Sequence, residues 1–394
     1  MNSSSKKSNF NFKNALSRFA SSTFLLVAAV FAIGYVTLFF GLKSENGDMA
    51  SLQLPAWMTQ FTQTLPKYLN SPAKPDVLLM GSSLVLSPAA LLEKLEHRTG
   101  FGCTYFENQI QQRTGKHIAV DNVGVIAGMV VDQYTILKAS IDAGKKPTFV
   151  IYGMAPRDLA DNLTSAENSP TQQVLAMSQK SKSFFPTSLN PQDLEVCWNT
   201  HKLTASHWMK SIRLAALDVA SKASHHPATV TDSTPAKSEN LASEHTHMVV
   251  IPADLELYRQ RYNPPNFDRM KGQAKYLESL LSLCAANHIP ILLVNMPLPD
   301  VNRNVIPKPL LAEYKQTVKD VASKYPGCEL IDLDQNTAFA DNLNNFNDCV
   351  HLNANGGKKF FNMLADYLVN DKPFDVAYSV QPPSVAQSAK GKVF

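Results

Sequence analysis

The first eighteen residues contain no acidic side chain, and the 24 residues after them contain no charged side chain at all. Four basic residues lie in that opening stretch: Lys6, Lys7, Lys13 and Arg18. They account for the net charge of +4, because the other 33 basic residues are balanced by 33 acidic ones. The rest of the chain therefore has no excess of positive charge, and we predict no nucleic-acid partner.

The uncharged run covers Phe19 to Leu42 and is rich in Phe, Leu, Val and Ala. As a helix it would be about 36 Å long, enough to cross a bilayer core of about 30 Å. The basic flank predicts a cytoplasmic N-terminus and a periplasmic or extracellular body. A cleaved signal peptide, with its site within Leu26–Ala32, is the alternative, but apolar regions of signal peptides usually span only about 7–15 residues. We therefore expect an uncleaved, single-pass membrane anchor.

Composition divides the chain further. The cytoplasmic residues 1–18 and the anchor 19–42 are followed by a membrane-proximal spacer at 43–73, a body at 74–370 and a disordered tail at 371–394. Residues 159–265 interrupt the predicted alternation of strands and helices in the body and are interpreted as an insertion. Within it, residues 221–247 have almost no large apolar side chain and are predicted to be disordered.

Cysteine is scarce, with five residues in the chain. Outside the cytoplasm these thiols would meet an oxidising compartment, and Cys284 with Cys328 is the favoured pair because they lie on consecutive helix–strand units. Histidines cluster at 225–226 and 245–247, in a polar segment without cysteine, and are interpreted as solvated rather than as metal ligands. We predict no metal and no cofactor.

Strands and helices are predicted to alternate along the body. Apolar runs rich in β-branched residues predict strands at 77–80, 117–123, 147–152, 289–294 and 329–333. Segments with helical spacing lie between and after them, among them 129–143, 267–287 and 354–369. This order predicts an α/β fold, a three-layer α/β/α sandwich with a central parallel sheet.

The first predicted strand ends abruptly in Gly81-Ser82-Ser83. A serine on such a turn has its hydroxyl at the carboxyl edge of a sheet, where open α/β folds place their sites. Ser83 is therefore a candidate nucleophile. Glycine and serine also dominate ordinary turns, so the motif alone is weak.

A second motif lies about forty residues from the C-terminus, in Asp348-Cys349-Val350-His351. A general base of this kind needs a carboxylate on the other ring nitrogen, and Asp-x-x-His supplies both from one segment. A helix cap followed by a surface histidine would also account for this motif. The thiol of Cys349 is a further possible nucleophile, though its position normally faces away from the base.

Taken in order, these motifs resemble the SGNH (GDSL-type) hydrolase superfamily, whose fold is flavodoxin-like. The first block of that family, Gly-Asp-Ser, is matched by residues 81–83, with Ser82 in place of the aspartate. The last block, Asp-x-x-His followed by glycine, is matched by Asp348, His351 and Gly356. The resemblance implies a catalytic triad of Ser83, Asp348 and His351.

The two middle blocks of the family supply oxyanion donors. The second is matched by residues 122–128, which contain Gly124 and Gly128, with a gap to Gly128 one residue longer than usual. The third, Gly-x-Asn-Asp, is the point of departure, because residues 153–158 contain no asparagine. Arg157 or Asn162 would have to donate instead.

The resemblance implies a serine esterase or O-acyltransferase that works through an acyl-serine intermediate. Together with the anchor, the layout is similar to D-alanine-transfer and alginate-type O-acetylation proteins. This implies an acylated glycan or envelope polymer as substrate and a membrane-bound O-acyltransferase as partner. Two alternatives stay open. One is an inert binding or scaffold subunit of such a complex, which the missing asparagine makes credible, and the other is a secreted lipase-like esterase.

Overall fold

A computed structural model of the chain describes residues 65–95, 103–164 and 247–370, together with isolated positions between 171 and 198. The predicted anchor, most of the spacer, nearly all of the segment 221–247 and the tail lie outside the described residues. Within the described part, no helix is both long and apolar enough to cross a membrane.

Five parallel strands form one sheet in the order β2-β1-β3-β4-β5. They are β1 (Val77–Gly81), β2 (Val120–Asn122), β3 (Phe149–Met154), β4 (Ile291–Asn295) and β5 (Cys328–Asp332). The three central strands are buried throughout, as expected when both faces of a parallel sheet are covered. The predicted central parallel sheet is confirmed.

Helices fill the connections between strands. They are α1 (Ser83–Leu95), α2 (Thr104–Thr114), α3 (Val130–Asp142), α4 (Pro156–Ala160), α5 (Pro252–Tyr262), α6 (Phe267–Ala286), α7 (Asp300–Arg303), α8 (Lys308–Ala322), α9 (Asn342–Asn345) and α10 (Ala354–Asn370). A 3₁₀ turn covers Thr337–Phe339, and residues 65–70 are also helical.

The strand order separates the helices into two groups. The chain moves from β1 to β2 in one direction and from β2 across to β3, β4 and β5 in the other. Since parallel crossovers are right-handed, α1 and α2 cover one face while α3, α6 and α8 cover the opposite one. The packing agrees, because α10 contacts α1 and α2, whereas α6 contacts α3, α4 and α8.

The reversal of strand order lies at β1, between its neighbours β2 and β3. Open α/β sheets bind ligands outside the carboxyl ends of the strands at such a switch point. The segments that leave β1 and β3 begin with Ser82 and Ala155. The topology therefore predicts a binding site near residues 81–83 and 155–158.

The favoured disulfide is not present. Cys284, in the last turn of α6, and Cys328, the first residue of β5, are both free thiols. Burial raises the pKa of Cys328 to about 12, so this thiol stays protonated at neutral pH. Consecutive helix–strand units did not suffice to identify a bonded pair.

Candidate active site

Ser83 is the first residue of α1 and follows β1 after a single intervening residue. The turn depends on Gly81, whose φ of 152° lies outside the range that L side chains usually adopt. A methyl group on Gly81 would also lie 2.6 Å from the carbonyl oxygen of Gly153 and 2.6 Å from a methyl of Val85. Glycine therefore lets the chain pass directly from the strand into the helix, with the Ser83 hydroxyl at the carboxyl edge.

A buried glutamine fixes this turn from the neighbouring connection. The side-chain oxygen of Gln133, on α3, accepts from the Gly81 amide at 3.1 Å, and its amide nitrogen donates to the Gly81 carbonyl at 2.9 Å. Gln133 is 1% exposed, so water does not compete for these bonds. The last residue of β1 is thus held at both backbone groups by one side chain.

Three polar side chains from distant parts of the chain meet at this edge. The Nε2 atom of His351 lies 2.9 Å from Ser83 Oγ, and its Nδ1 atom lies 2.8 Å from Asp348 Oδ2. Both distances are those of hydrogen bonds. The serine hydroxyl, the imidazole and the carboxylate thus form the chain Ser83–His351–Asp348 of a nucleophile, a base and its orienter.

The carboxylate of Asp348 is held ready for this role. Its Oδ1 atom accepts from the backbone amides of Val350 at 2.8 Å and His351 at 2.7 Å, which leaves Oδ2 to the imidazole. Burial acts to raise the pKa of Asp348, but the hydrogen bonds from His351 and the two amides outweigh it. The pKa therefore lies below the usual value, and the group is ionised at neutral pH.

The loop that carries Asp348 and His351 is closed on itself. Phe346 and Leu352 form an antiparallel bridge, and the amide of Asn347 donates to the His351 carbonyl at 2.8 Å. Asn353 then accepts from the Gly356 amide at 2.9 Å and so caps the first turn of α10. The base and its carboxylate therefore lie on one rigid segment.

The predicted oxyanion donors are engaged with protein acceptors. The amide of Gly124 donates to the Asn122 side chain at 3.0 Å, and that of Gly128 to the Val125 carbonyl at 2.9 Å. Asn162 donates through its backbone to Arg261 and through its side chain to Pro264. The backbone amides of these three residues are therefore not free in this conformation.

The bond from Gly128 to Val125 closes a turn with Ala127 at its third position. Ala127 has φ +55°, which makes this a type II turn, a conformation that favours glycine there. The amides of Ile126 and Ala127 have no partner among the described residues, and Ala127 is the more exposed of the two.

The amide of Ser83 is a second donor without a partner in the described part of the chain. It lies at the N-terminus of α1, where the first amides of a helix have no intrahelical acceptor. An oxyanion that forms on an acyl carbon bonded to Ser83 Oγ lies close to this amide. Free backbone donors therefore exist at the site, although not at the glycines that the sequence motif indicated.

Arg157 follows β3, and its guanidinium is engaged with acceptors inside the fold. It donates to the Gly128 carbonyl at 2.9 Å, to Asp158 at 3.1 Å and to Asp161 at 3.2 Å. Burial acts to lower the pKa of Arg157, yet the two carboxylates outweigh it and raise the pKa. The guanidinium is therefore a permanent charge tied to the turn that contains Ala127.

Two residues at the site were not singled out from the sequence. Gln133 and Ala127 lie in ordinary apolar contexts, and only their backbone contacts and φ angle identify them. Cys349, the alternative nucleophile, is buried, and burial raises the pKa of its thiol to about 12. It remains a thiol at neutral pH and makes a poor nucleophile.

A comparison with protein-family models finds no match, and a comparison with curated proteins finds none either. Among solved structures, the chain is similar to a candidate acylhydrolase from Bacteroides fragilis, with 12% identity and a TM-score of 0.38 over 79% of this chain and 96% of that one. It is also similar to a candidate platelet activating factor from Streptococcus pneumoniae, with 12% identity and a TM-score of 0.37 over 79% and 92%. Likenesses this weak carry no argument about fold or activity.

Proposed function

We propose that the protein is a serine esterase or O-acyltransferase that works through an acyl-serine intermediate. The observation that carries the proposal is the hydrogen-bonded chain from Ser83 through His351 to Asp348, with distances of 2.9 and 2.8 Å. The arrangement contains the three parts of an activated serine nucleophile in their working order. Its position at the topological switch point of the sheet supports the same conclusion.

The reaction has two halves. In the first, His351 Nε2 accepts the Ser83 proton while Oγ attacks the acyl carbon, and the leaving alcohol takes that proton as the ester bond breaks. In the second, water or an acceptor hydroxyl loses a proton to His351 and attacks the acyl-serine, which restores Ser83. Water gives hydrolysis, and a sugar hydroxyl gives O-acyl transfer. The amides of Ser83 and Ala127 would bind the oxyanion in both halves.

The acyl groups that we propose as substrate belong to an acylated glycan or envelope polymer outside the cytoplasmic membrane. The support is the basic flank and the uncharged run of residues 19–42, which favour a membrane-anchored, exported body. A membrane-bound O-acyltransferase is the proposed partner that would deliver acyl groups to the outer surface. A C-terminal alkaline phosphatase fusion should be active in cells; an inactive fusion contradicts this topology.

An inert scaffold subunit of the same complex is the second candidate. It is favoured by the engagement of the four predicted oxyanion donors with protein acceptors. In that case the serine would be hydrogen-bonded yet unable to stabilise a tetrahedral intermediate. Losing one oxyanion donor typically costs about 10²–10³ in rate, so a site without any donor would be silent.

A fluorophosphonate distinguishes the two candidates, because it phosphonylates a serine only when a base and oxyanion donors activate it. We expect the purified protein to be labelled, with the modification located on Ser83 by peptide mass spectrometry. It should also hydrolyse a chromogenic ester in water. An intact, folded protein that takes up no label after prolonged exposure would support the scaffold instead.

A further inference from the structure

Arg157 is joined to the turn of residues 125–128 by a single contact. Its Nη2 atom donates to the carbonyl oxygen of Gly128 at 2.9 Å. Among the described residues, no other donor reaches that carbonyl. The guanidinium therefore fixes the orientation of the peptide group that ends the turn.

The guanidinium itself has little freedom to move. Its other contacts are with the carboxylates of Asp158 and Asp161, and the side chain is 7% exposed. Asp161 is in turn bound by Arg261, which lies in α5. Two cations and two carboxylates thus balance one another inside the fold. The planar guanidinium of Arg157 binds both carboxylates at once, which restricts its movement.

The turn needs such an anchor because its conformation is strained at Ala127, where φ is +55°. Three hydrogen bonds hold the turn in this conformation. The amide of Val125 donates to the Gly81 carbonyl at 2.9 Å, and the amide of Met129 donates to Asp132 at 2.8 Å. Arg157 makes the third hydrogen bond, to the carbonyl of Gly128, the residue after Ala127.

We infer that Arg157 is a positioning residue for the reaction, which aims the backbone amide of Ala127 at the oxyanion by holding the Gly128 carbonyl. This inference rests on the proposed function and extends it to a residue that does not touch the substrate. Arginine at this place would thus act indirectly, through the backbone, where an asparagine side chain would donate directly. The Ser83 amide completes the pair of donors.

Replacing Arg157 by lysine tests the inference while keeping the charge that Asp158 and Asp161 require. One ammonium group cannot reproduce the planar guanidinium, so the hydrogen bond to the Gly128 carbonyl should be lost or lengthened. Misplacement of a group by about 1 Å can cost about 10²-fold in rate. We expect kcat for ester hydrolysis and the rate of fluorophosphonate labelling to fall about 10- to 100-fold, with KM changed less than about twofold.

Arg303→Lys is the matched control. Arg303 also donates to a backbone carbonyl, that of Leu298 at 2.8 Å, and to the carboxylates of Asp300 and Asp334, but it lies in α7 and does not contact the turn. This variant should keep the wild-type kcat and labelling rate. In the Arg157 variant, hydrogen exchange should rise in residues 125–129 and stay unchanged in the central strands, whereas a general loss of stability would raise exchange throughout the fold.

The outcomes separate the two ideas. A wild-type protein that is not labelled overturns the proposed function and this inference with it. A labelled wild type whose Arg157→Lys variant keeps full kcat, or loses no more than Arg303→Lys, overturns the inference alone. A lower kcat in the Arg157 variant with unchanged exchange in residues 125–129 also overturns it, because the effect then does not pass through the turn.

Discussion

Replacing Ser83 by alanine is expected to abolish acyl turnover and fluorophosphonate labelling without unfolding the protein. The side chain is only half-buried, and among the described residues its hydroxyl is hydrogen-bonded to His351 alone, so little stability depends on it. His351→Ala should reduce turnover as strongly, because the serine then keeps its proton. Losses of about 10⁵–10⁶-fold are typical when either group of such a triad is removed. Turnover of a chromogenic ester and thermal unfolding measure the two effects.

The double variant separates a working triad from two residues that merely lie together. Since the groups act as a unit, Ser83→Ala with His351→Ala should be no less active than either single variant. Asp348→Asn should cost about 10⁴-fold, because the wrong imidazole tautomer is then favoured. If Ser83→Ala retains more than a small fraction of turnover, another residue is the nucleophile and the assignment fails.

The sheet could be predicted from the sequence because its strands are continuous apolar runs. Expected strands at 77–80 and 289–294 correspond to Val77–Gly81 and Ile291–Asn295. The closing helix, with its strong apolar stripe, was expected to begin at Ala354 and does so. A strand buried on both faces is a continuous apolar run, and such a run can be recognised in the sequence without knowledge of tertiary contacts.

Two helices could not be predicted, because they bury too few apolar side chains to leave a helical period. In α2 only Phe106 and Ile110 are buried hydrophobics, and in α5 only Tyr262 is buried. The start of α1 is not evident from the sequence either, since Ser87-Pro88 is typical of a helix cap followed by a first-turn proline. The helix begins four residues earlier, with Pro88 inside it, because the Ser82 carbonyl already accepts from two amides of the first turn.

At the site, sequence order identified side chains but not backbone donors. Ser83, Asp348 and His351 were expected together, and the structure brings them within hydrogen-bond distance. Which amides are free depends on how the chain turns after β1 and before α3, and these turns are contacted by Gln133 and Arg157, respectively. Such contacts join elements far apart in the chain, so no local pattern carries them.

The loop that carries His351 packs closely against α10 at Gly356. A methyl group on Gly356 would lie 2.1 Å from the carbonyl oxygen of Asn345 and 2.8 Å from a methyl of Leu352. That carbonyl cannot retreat easily, because it accepts from the Asn353 amide at 3.0 Å and Asn345 is fully buried. Any larger residue must push α10 away from the loop that holds His351.

Gly356→Ala is therefore expected to destabilise the fold by about 3 kcal/mol or more, since overpacking against fixed backbone lies at the upper end of such costs. For a domain of this size that is a fall in Tm of about 6–12 °C. The matched control is Gly272→Ala within α6, where a methyl group meets no atom within 4 Å. It should gain about 0.5–1 kcal/mol from helix propensity. Calorimetry of both variants decides the matter, and a Gly356→Ala protein that unfolds at the wild-type temperature would show that the contact is not this close.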